Sequence, residues 1–293
     1  MSKPKLTFLI YASLLFLIGS LVKNDYLVLP EVINPAQLAL SIFLLFLGFM
    51  ANSLPWKHML NTHGFQISST DSIISIGLTI FGKYIPGKIW SIVGRSSYIA
   101  NKYHYSNKDL TTISVDSQII TLWTGLVLGA VGLFLLEGLA ELSWGFFAVW
   151  LIMTLSIFSH VFHTLTSKIF YLITKKNIDL PQITFGQTLK ALPFFFLQWI
   201  LWCAGFYFLA SSILDTPLNP IAGVGFALAA SFGIAAIFSP GGIGVREIFL
   251  AGYLMLAGLS TQDATTISVA SRLWFLLGEV FIFVTAFLIR EKF

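Results

Sequence analysis

Between Phe194 and Leu214 the chain runs for 21 residues without a charged side chain and is apolar on every side of a helix. At 1.5 Å of rise per residue such a run measures about 31 Å, the thickness of a bilayer's hydrocarbon core. Apolar runs of this kind recur from end to end, and the polar breaks between them are too short to hold a second domain. Composition agrees: 56% of residues are hydrophobic and only 10% are charged, too little charge to cover a soluble globule. A β-barrel is excluded because its strands alternate apolar and polar residues. The expected fold class is all-α, a polytopic integral membrane helical bundle in which residues 1–293 form a single domain.

Lys3 and Lys5 precede the apolar stretch Leu6 to Val22, which ends without a small-residue cleavage site and reads as an uncleaved first span. Further spans are expected near 34–54, 112–136, 144–163, 191–214, 218–238, 245–259 and 265–289, eight in all. Ser72 to Val93 is the odd segment, moderately apolar but interrupted by Gly82-Lys83-Tyr84-Ile85-Pro86-Gly87-Lys88. With that segment re-entrant and the amino terminus inside, 15 of the 17 Lys and Arg fall on the cytoplasmic side, with Lys23 outside and Arg272 within a span. Lys and Arg set orientation, so both termini are expected in the cytoplasm and the protein in the cytoplasmic (inner) membrane.

The formal charge of +4 is therefore topological, and the scattered basic residues form no stripe for nucleic acid. A single cysteine, Cys203, excludes a disulfide framework. Ser167 to Lys190 reads equally as an amphipathic elbow at the interface or as a helix extension with a loop around Pro181. Ala222, Gly225, Ala229, Gly233 and Ala236 line one helical face with small residues, a pattern for close packing.

Two segments break helical propensity in apolar surroundings: 82–88, and Ser239-Pro240-Gly241-Gly242-Ile243-Gly244-Val245-Arg246-Glu247. Backbone freed by Pro and Gly has to find partners within the protein or in a water-filled cavity, and paired breaks of this type mark transport sites made of discontinuous helices. In the first, Pro86 opens a helix on which Lys88, Ser91 and Arg95 share one face, and together with Lys83 they suit a phosphate or other anion. The bland reading makes these residues positive-inside anchors. In the second, Gly241, Gly242 and Gly244 let backbone amides approach a ligand, with Arg246 ready to grip phosphate. The bland reading there is a plain turn with Arg246 and Glu247 as an internal pair.

Three further ionisable residues fall within spans. Asp116 is expected near the inner edge, where hydration is cheap, and Arg272, about 10 Å into the final span, within snorkelling reach. Glu279 lies about 21 Å in, and a central carboxylate costs about 2.5–3.5 kcal/mol on insertion scales, which demands a partner, a cavity or a proton. Arg272 is two turns away, so the partner has to come from another span. A structural ion pair and proton coupling are both open.

For enzymology the chain is poor. His160 and His163 make an isolated pair without an acidic or cysteine cluster, so no metal site is expected. No nucleophile elbow, Walker loop or Rossmann glycine pattern occurs, and neither a catalytic residue nor a cofactor is expected.

Lys83-Tyr84-Ile85-Pro86-Gly87-Lys88-Ile89-Trp90, then Gly94-Arg95, and later Pro240-Gly241-Gly242-Ile243-Gly244-Val245-Arg246-Glu247 resemble the transmembrane region of the lysylphosphatidylglycerol synthase family, also called flippase-like. The resemblance covers nearly the whole chain. It implies translocation, by flipping or scrambling, of an anionic phospholipid or a polyprenyl-phosphate-linked glycan, with the head group between the two broken helices. The soluble aminoacyl-transferase domain of the two-domain synthases has no counterpart before Phe293, so aminoacylation is not implied. Implied partners are the lipid or lipid-linked glycan, with envelope-biosynthesis enzymes and a second copy of the chain as protein candidates. An integral membrane enzyme, or a scaffold in cell-envelope glycolipid or polysaccharide synthesis, is the alternative.

Overall fold

The computed structural model describes residues 30–85, 89–136, 140–159, 164, 168, 185–236 and 239–290. The expected first span at 6–22, His160, His163 and most of the 167–190 connection lie outside those residues.

Helices start where a side chain supplies the partner that first-turn amides lack. Asn34 caps α1 (Pro35–Ala51), its Oδ1 accepting from the Gln37 amide at 3.2 Å, and Pro35 opens the first turn, where a missing N–H costs nothing. Asn52 stays helical and leads into α2 (Ser53–Thr62), so 35–62 form one rod. Ser68, Ser106 and Ser260 cap α3 (Ser69–Gly77), α5 (Asn107–Leu135) and α10 (Thr261–Ile289), accepting from the amides of Asp71, Asp109 and Asp263. The other helices are α4 (Ile89–Tyr103), α6 (Ala140–Phe158), α7 (Phe185–Ile213), α8 (Gly225–Ala235) and α9 (Val245–Leu256). Among the described residues every regular element is helical.

Pro35–Thr62, α5, α7 and α10 are long and apolar enough to cross a bilayer. Their surroundings invert the pattern of a soluble protein: Leu288 and Ile248 are 74% and 72% exposed, whereas Glu279 and Arg272 are 1% and 3% exposed. Apolar side chains face outward to lipid and the costly charges face inward. The protein is a multi-pass helical membrane bundle.

The expected spans at 218–238 and 245–259 are shorter than a crossing. The first is a 3₁₀ turn of 5 residues, Pro220–Val224, running into α8 with 11 residues, and α9 has 12; they measure about 26 and 18 Å, both short of the roughly 30 Å hydrocarbon thickness. Gly225 at the start of α8 lies against the Tyr253 ring near the end of α9, and Gly233 near the end of α8 lies against Arg246 at the start of α9. The two helices therefore run antiparallel, as a hairpin whose bend is the glycine-rich break. The small-residue face is the seam of this hairpin, because a β-carbon at Gly225 would collide with Tyr253. Apolar length alone does not separate a crossing from a buried hairpin arm, which is why both arms read as spans.

The first break makes a second hairpin. α3 and α4 flank a 3₁₀ turn, Ile80–Tyr84, and at about 14 and 22 Å neither helix crosses the core. Gly94 lies against Thr79, and Lys102 near the end of α4 reaches Asp71 at the start of α3, so this pair is antiparallel too. The interruption expected within Ser72 to Val93 is thus present. The tips of the two hairpins meet: a β-carbon on Gly241 would strike the ring of Tyr84.

Behind the tips sits an aromatic core that includes Phe49, Trp199, Trp202, Phe206, Phe226 and Trp274. Lipid is as apolar as these side chains, so close fit rather than escape from water holds them together. Gly48 and Gly278 supply that fit by receiving the rings of Trp202 and Phe49.

Candidate functional site

The bend between α8 and α9 is built from glycines with φ of 59° at Gly241, 74° at Gly242 and 84° at Gly244, a region where a β-carbon is strained. Pro240 opens the turn and Ser239 closes it, its hydroxyl donating to the Ile243 carbonyl at 2.6 Å. Carbonyls left without helical partners need donors. Arg272 of α10 supplies one, its Nη2 donating to the Gly241 carbonyl at 3.0 Å. The final span thereby fastens the second tip.

Two turns further along the same helix, Glu279 fastens the first tip. Its Oε1 lies 2.5 Å from Lys83 Nζ and its Oε2 accepts from the Tyr84 hydroxyl at 2.7 Å. The buried carboxylate thus has the partner from another segment that its depth demanded. Lys83 also lies 5.1 Å from the centre of the Phe275 ring.

Glu247 and Arg246 take separate roles. The Glu247 Oε2 accepts the Gly244 amide at 2.6 Å, capping α9, while its Oε1 lies 3.6 Å from Arg272 Nε. The internal pair with Arg246, the bland alternative for this turn, is absent among the described residues, because consecutive residues on a helix project about 100° apart and Glu247 is drawn back to the amides. The anion at the start of α9 is therefore the protein's own carboxylate. Arg246 is buried against a pair of touching rings, its guanidinium 4.5 Å from the Phe226 ring centre and 4.7 Å from that of Phe275. Its polar contacts are to neutral groups, the Ser271 carbonyl at 3.3 Å and hydroxyl at 3.4 Å, and its Nε has no hydrogen-bond partner. Ser271 is in turn held by the Ser268 carbonyl at 2.7 Å, and Ser268 donates to the Glu247 carbonyl at 2.8 Å.

Of the residues singled out in the sequence, the structure gathers Lys83, Tyr84, Gly241, Arg246, Glu247, Arg272 and Glu279 at this junction, with Pro240 and Gly242 shaping its bend. Arg272 does not snorkel; its guanidinium satisfies the broken backbone instead. Arg95 turns elsewhere: its Nε donates to the Ser114 hydroxyl at 2.5 Å, its Nη2 to the Ser114 carbonyl at 2.6 Å, and it stacks 4.5 Å from the Trp56 ring centre. It shares no described partner with Arg246, so the two arginines sit in different settings. Asp116 is not at a hydrated edge but buried in α5, with Oδ2 lacking a hydrogen-bond partner. Pro86, Gly87 and Lys88 lie outside the described residues. Sequence reasoning missed Phe226, Phe275, Ser268 and Ser271. The serines carried a signal, since 268, 271, 272 and 279 share one face of a 3.6-residue helix.

A family model described as the lysylphosphatidylglycerol synthase TM region matches residues 6–279. The chain belongs to that family. No characterised protein and no solved structure matches it. For a lysylphosphatidylglycerol synthase membrane region, the match takes in both hairpins and α10 through Glu279. It places the protein in membrane lipid or envelope biosynthesis or transport.

Proposed function

We propose that the protein moves an anionic lipid or lipid-linked glycan between leaflets of the cytoplasmic membrane, holding its head group at the junction of the two hairpin tips. One observation carries this reading. Arg246 is buried against two neighbouring aromatic rings at the junction and makes no ion pair among the described residues. A buried charge without a counter-charge is expensive, and an arriving phosphate supplies the missing partner with charge-assisted bonds. The other cations there are already matched, Lys83 by Glu279 and Arg272 by Glu247.

In this reading Lys83, Tyr84, Gly241 and Arg246 face the head group, Arg272 and Glu247 keep the glycine bend in shape, and Glu279 holds the first tip. Pro86, Gly87 and Lys88 follow Ile85 in the sequence and are proposed as part of the same site. No covalent step is required of these residues, and the protein acts as a transporter rather than an enzyme. Both termini lie in the cytoplasm in this reading.

The test uses the purified protein in liposomes carrying fluorescent anionic phospholipid, with leaflet exchange measured for wild type, Arg246→Gln, Arg246→Lys and Arg95→Gln. Loss of a charge-assisted contact worth about 1.5–3 kcal/mol corresponds to one to two decades in affinity. Arg246→Gln is expected to lose at least tenfold of the exchange rate at subsaturating lipid, and Arg246→Lys less. Arg95→Gln, whose partners lie on α5 and α2, is expected to keep its exchange. Wild-type exchange in folded Arg246→Gln would reject the proposal and favour a scaffold or an enzyme of envelope synthesis.

A further inference from the structure

The hairpins can be placed along two helices long enough to cross a bilayer, α5 and α10. The open end of the first hairpin lies beside the start of α5: the Ser97 hydroxyl is 3.3 Å from Asn107 Oδ1, and the Ser96 hydroxyl donates to the Leu110 carbonyl at 3.1 Å. The second hairpin lies beside the other half. Along α5, Gly125 meets Ser231, Gly129 meets Leu228, and Gly132 meets Val224 and Tyr253, so α8 is followed from near its tip back to its base. Leu110 and Gly132 are 22 residues apart on one helix, which is about 33 Å.

α10 gives the same order. Ser268 donates to the Glu247 carbonyl of the second hairpin, Arg272 holds that hairpin's tip, Glu279 holds the first tip, and Ile282 and Ala286 lie against Gly77 of α3. Arg272 is 11 residues from the start of α10 and Glu279 is 10 from its end, about 17 and 15 Å. The hairpins therefore enter from opposite faces of the membrane, and their tips meet about halfway. We infer that each hairpin is the gate between the junction and its own leaflet, so that the site opens to one leaflet when the first hairpin withdraws and to the other when the second does. The inference rests on the head-group reading of the junction and specifies how a lipid reaches and leaves it.

The physical ground is the broken backbone at the tips. Carbonyls and amides freed from helices exchange one partner only for another in protein or water, because lipid offers none. A tip that moves sideways meets lipid, whereas one that retreats toward the face by which its hairpin enters gains water. This fixes the direction of each movement. The tips are also held by different side chains of α10, so either can leave while its counterpart stays. With one tip withdrawn, the hairpin from the opposite face still fills its own half of the path, and the site faces a single leaflet.

Sidedness is tested with an impermeant thiol reagent on intact cells and inside-out vesicles. Asn101→Cys, near the end of α4, and Thr216→Cys, between α7 and the second hairpin, are both exposed positions. They are expected to label from opposite faces, and labelling of both from one face overturns the inference. Leu276→Cys reports access to the junction, since Leu276 packs against the Phe81 and Tyr84 cluster between Arg272 and Glu279. By itself it is expected to label slowly from both faces, and labelling from one face only overturns the two-gate arrangement. Adding Glu279→Gln or Lys83→Met, each of which frees the first tip, is expected to speed labelling at least tenfold from the face that labels Asn101→Cys. Adding Arg272→Gln is expected to do so from the other face, and Arg272→Lys, which keeps a donor for the Gly241 carbonyl, less. A rise from both faces in any one variant, or from the same face in all of them, overturns the inference. Labelling needs no lipid, so these results stand apart from the exchange rate of Arg246→Gln, which tests the head-group reading.

Discussion

Glu279 and Lys83 show how one buried pair is decided by what removal leaves behind. Replacing a single partner strands the other charge in the bundle, at a cost of about 3–5 kcal/mol, whereas replacing both with neutral groups is often near neutral. Glu279→Gln and Lys83→Met are each expected to lower the melting temperature of the detergent-solubilised protein markedly, and the double variant to recover most of the loss. Additive losses would show that the 2.5 Å contact contributes no coupling. Much of this was legible in the sequence: a carboxylate so deep in the last span demands a partner, and Arg272, two turns away, was too far. That Lys83 is the partner was not legible, because the pairing is made by the meeting of the first tip with α10. Arg246 illustrates the opposite limit. Its neighbour Glu247 looks like a natural partner on paper, but the unsatisfied amide of Gly244 competes for that carboxylate and wins.

At the scale of elements, the two hairpins depend on what their tips and ends can tolerate. Gly241 combines a positive φ with contact against Tyr84, so Gly241→Ala introduces both strain of about 1–2 kcal/mol and a collision. It is expected to destabilise the protein and weaken lipid exchange, whereas Gly252→Ala in α9, with nothing near its would-be β-carbon, is expected to be neutral or slightly stabilising. Equal melting temperatures for both variants would contradict the tip-to-tip contact. The open ends of the first hairpin are joined by Asp71, which accepts from Ser68 at 2.7 Å, Lys102 at 2.7 Å and Tyr103 at 2.6 Å. Burial alone would raise its pKa, but these hydrogen bonds outweigh burial and hold the carboxylate below its ordinary value. A depressed pKa stabilises the fold above the unfolded value of about 3.9 and withdraws that help as pH falls through the folded value. Unfolding followed from pH 7 to pH 3 is expected to show an acid-side loss that Asp71→Asn lacks; parallel curves would exclude this role. The breaks themselves were visible as Pro and Gly in apolar surroundings. The Ser-x-x-Asp starts at Ser68, Ser106 and Ser260 were equally visible but went unread, and they would have fixed three helix boundaries.

For the whole molecule, apolar length was enough to give the class but not the count of crossings, since a hairpin arm buried in protein is as apolar as a span. Exchanging two crossings, 218–238 and 245–259, for one hairpin changes the count by an even number, so the expected side of every later loop stands. The topology is checked with Lys108→Cys, an exposed position at the start of α5. The chain's other cysteine, Cys203, is buried, so background labelling should be low. An impermeant thiol reagent is expected to miss position 108 in intact cells and to modify it in inside-out vesicles. Ready labelling of intact cells would reverse the orientation. There remains the way α10 is attached. It grips the second tip through Arg272 and the first through Glu279, seven residues apart on one unbroken helix, a distance of about 10 Å. In mechanical terms it is a crossbar pinned at two points. A movement that parts the tips has to release one pin, and the pin that stays closed becomes the pivot about which the freed hairpin swings.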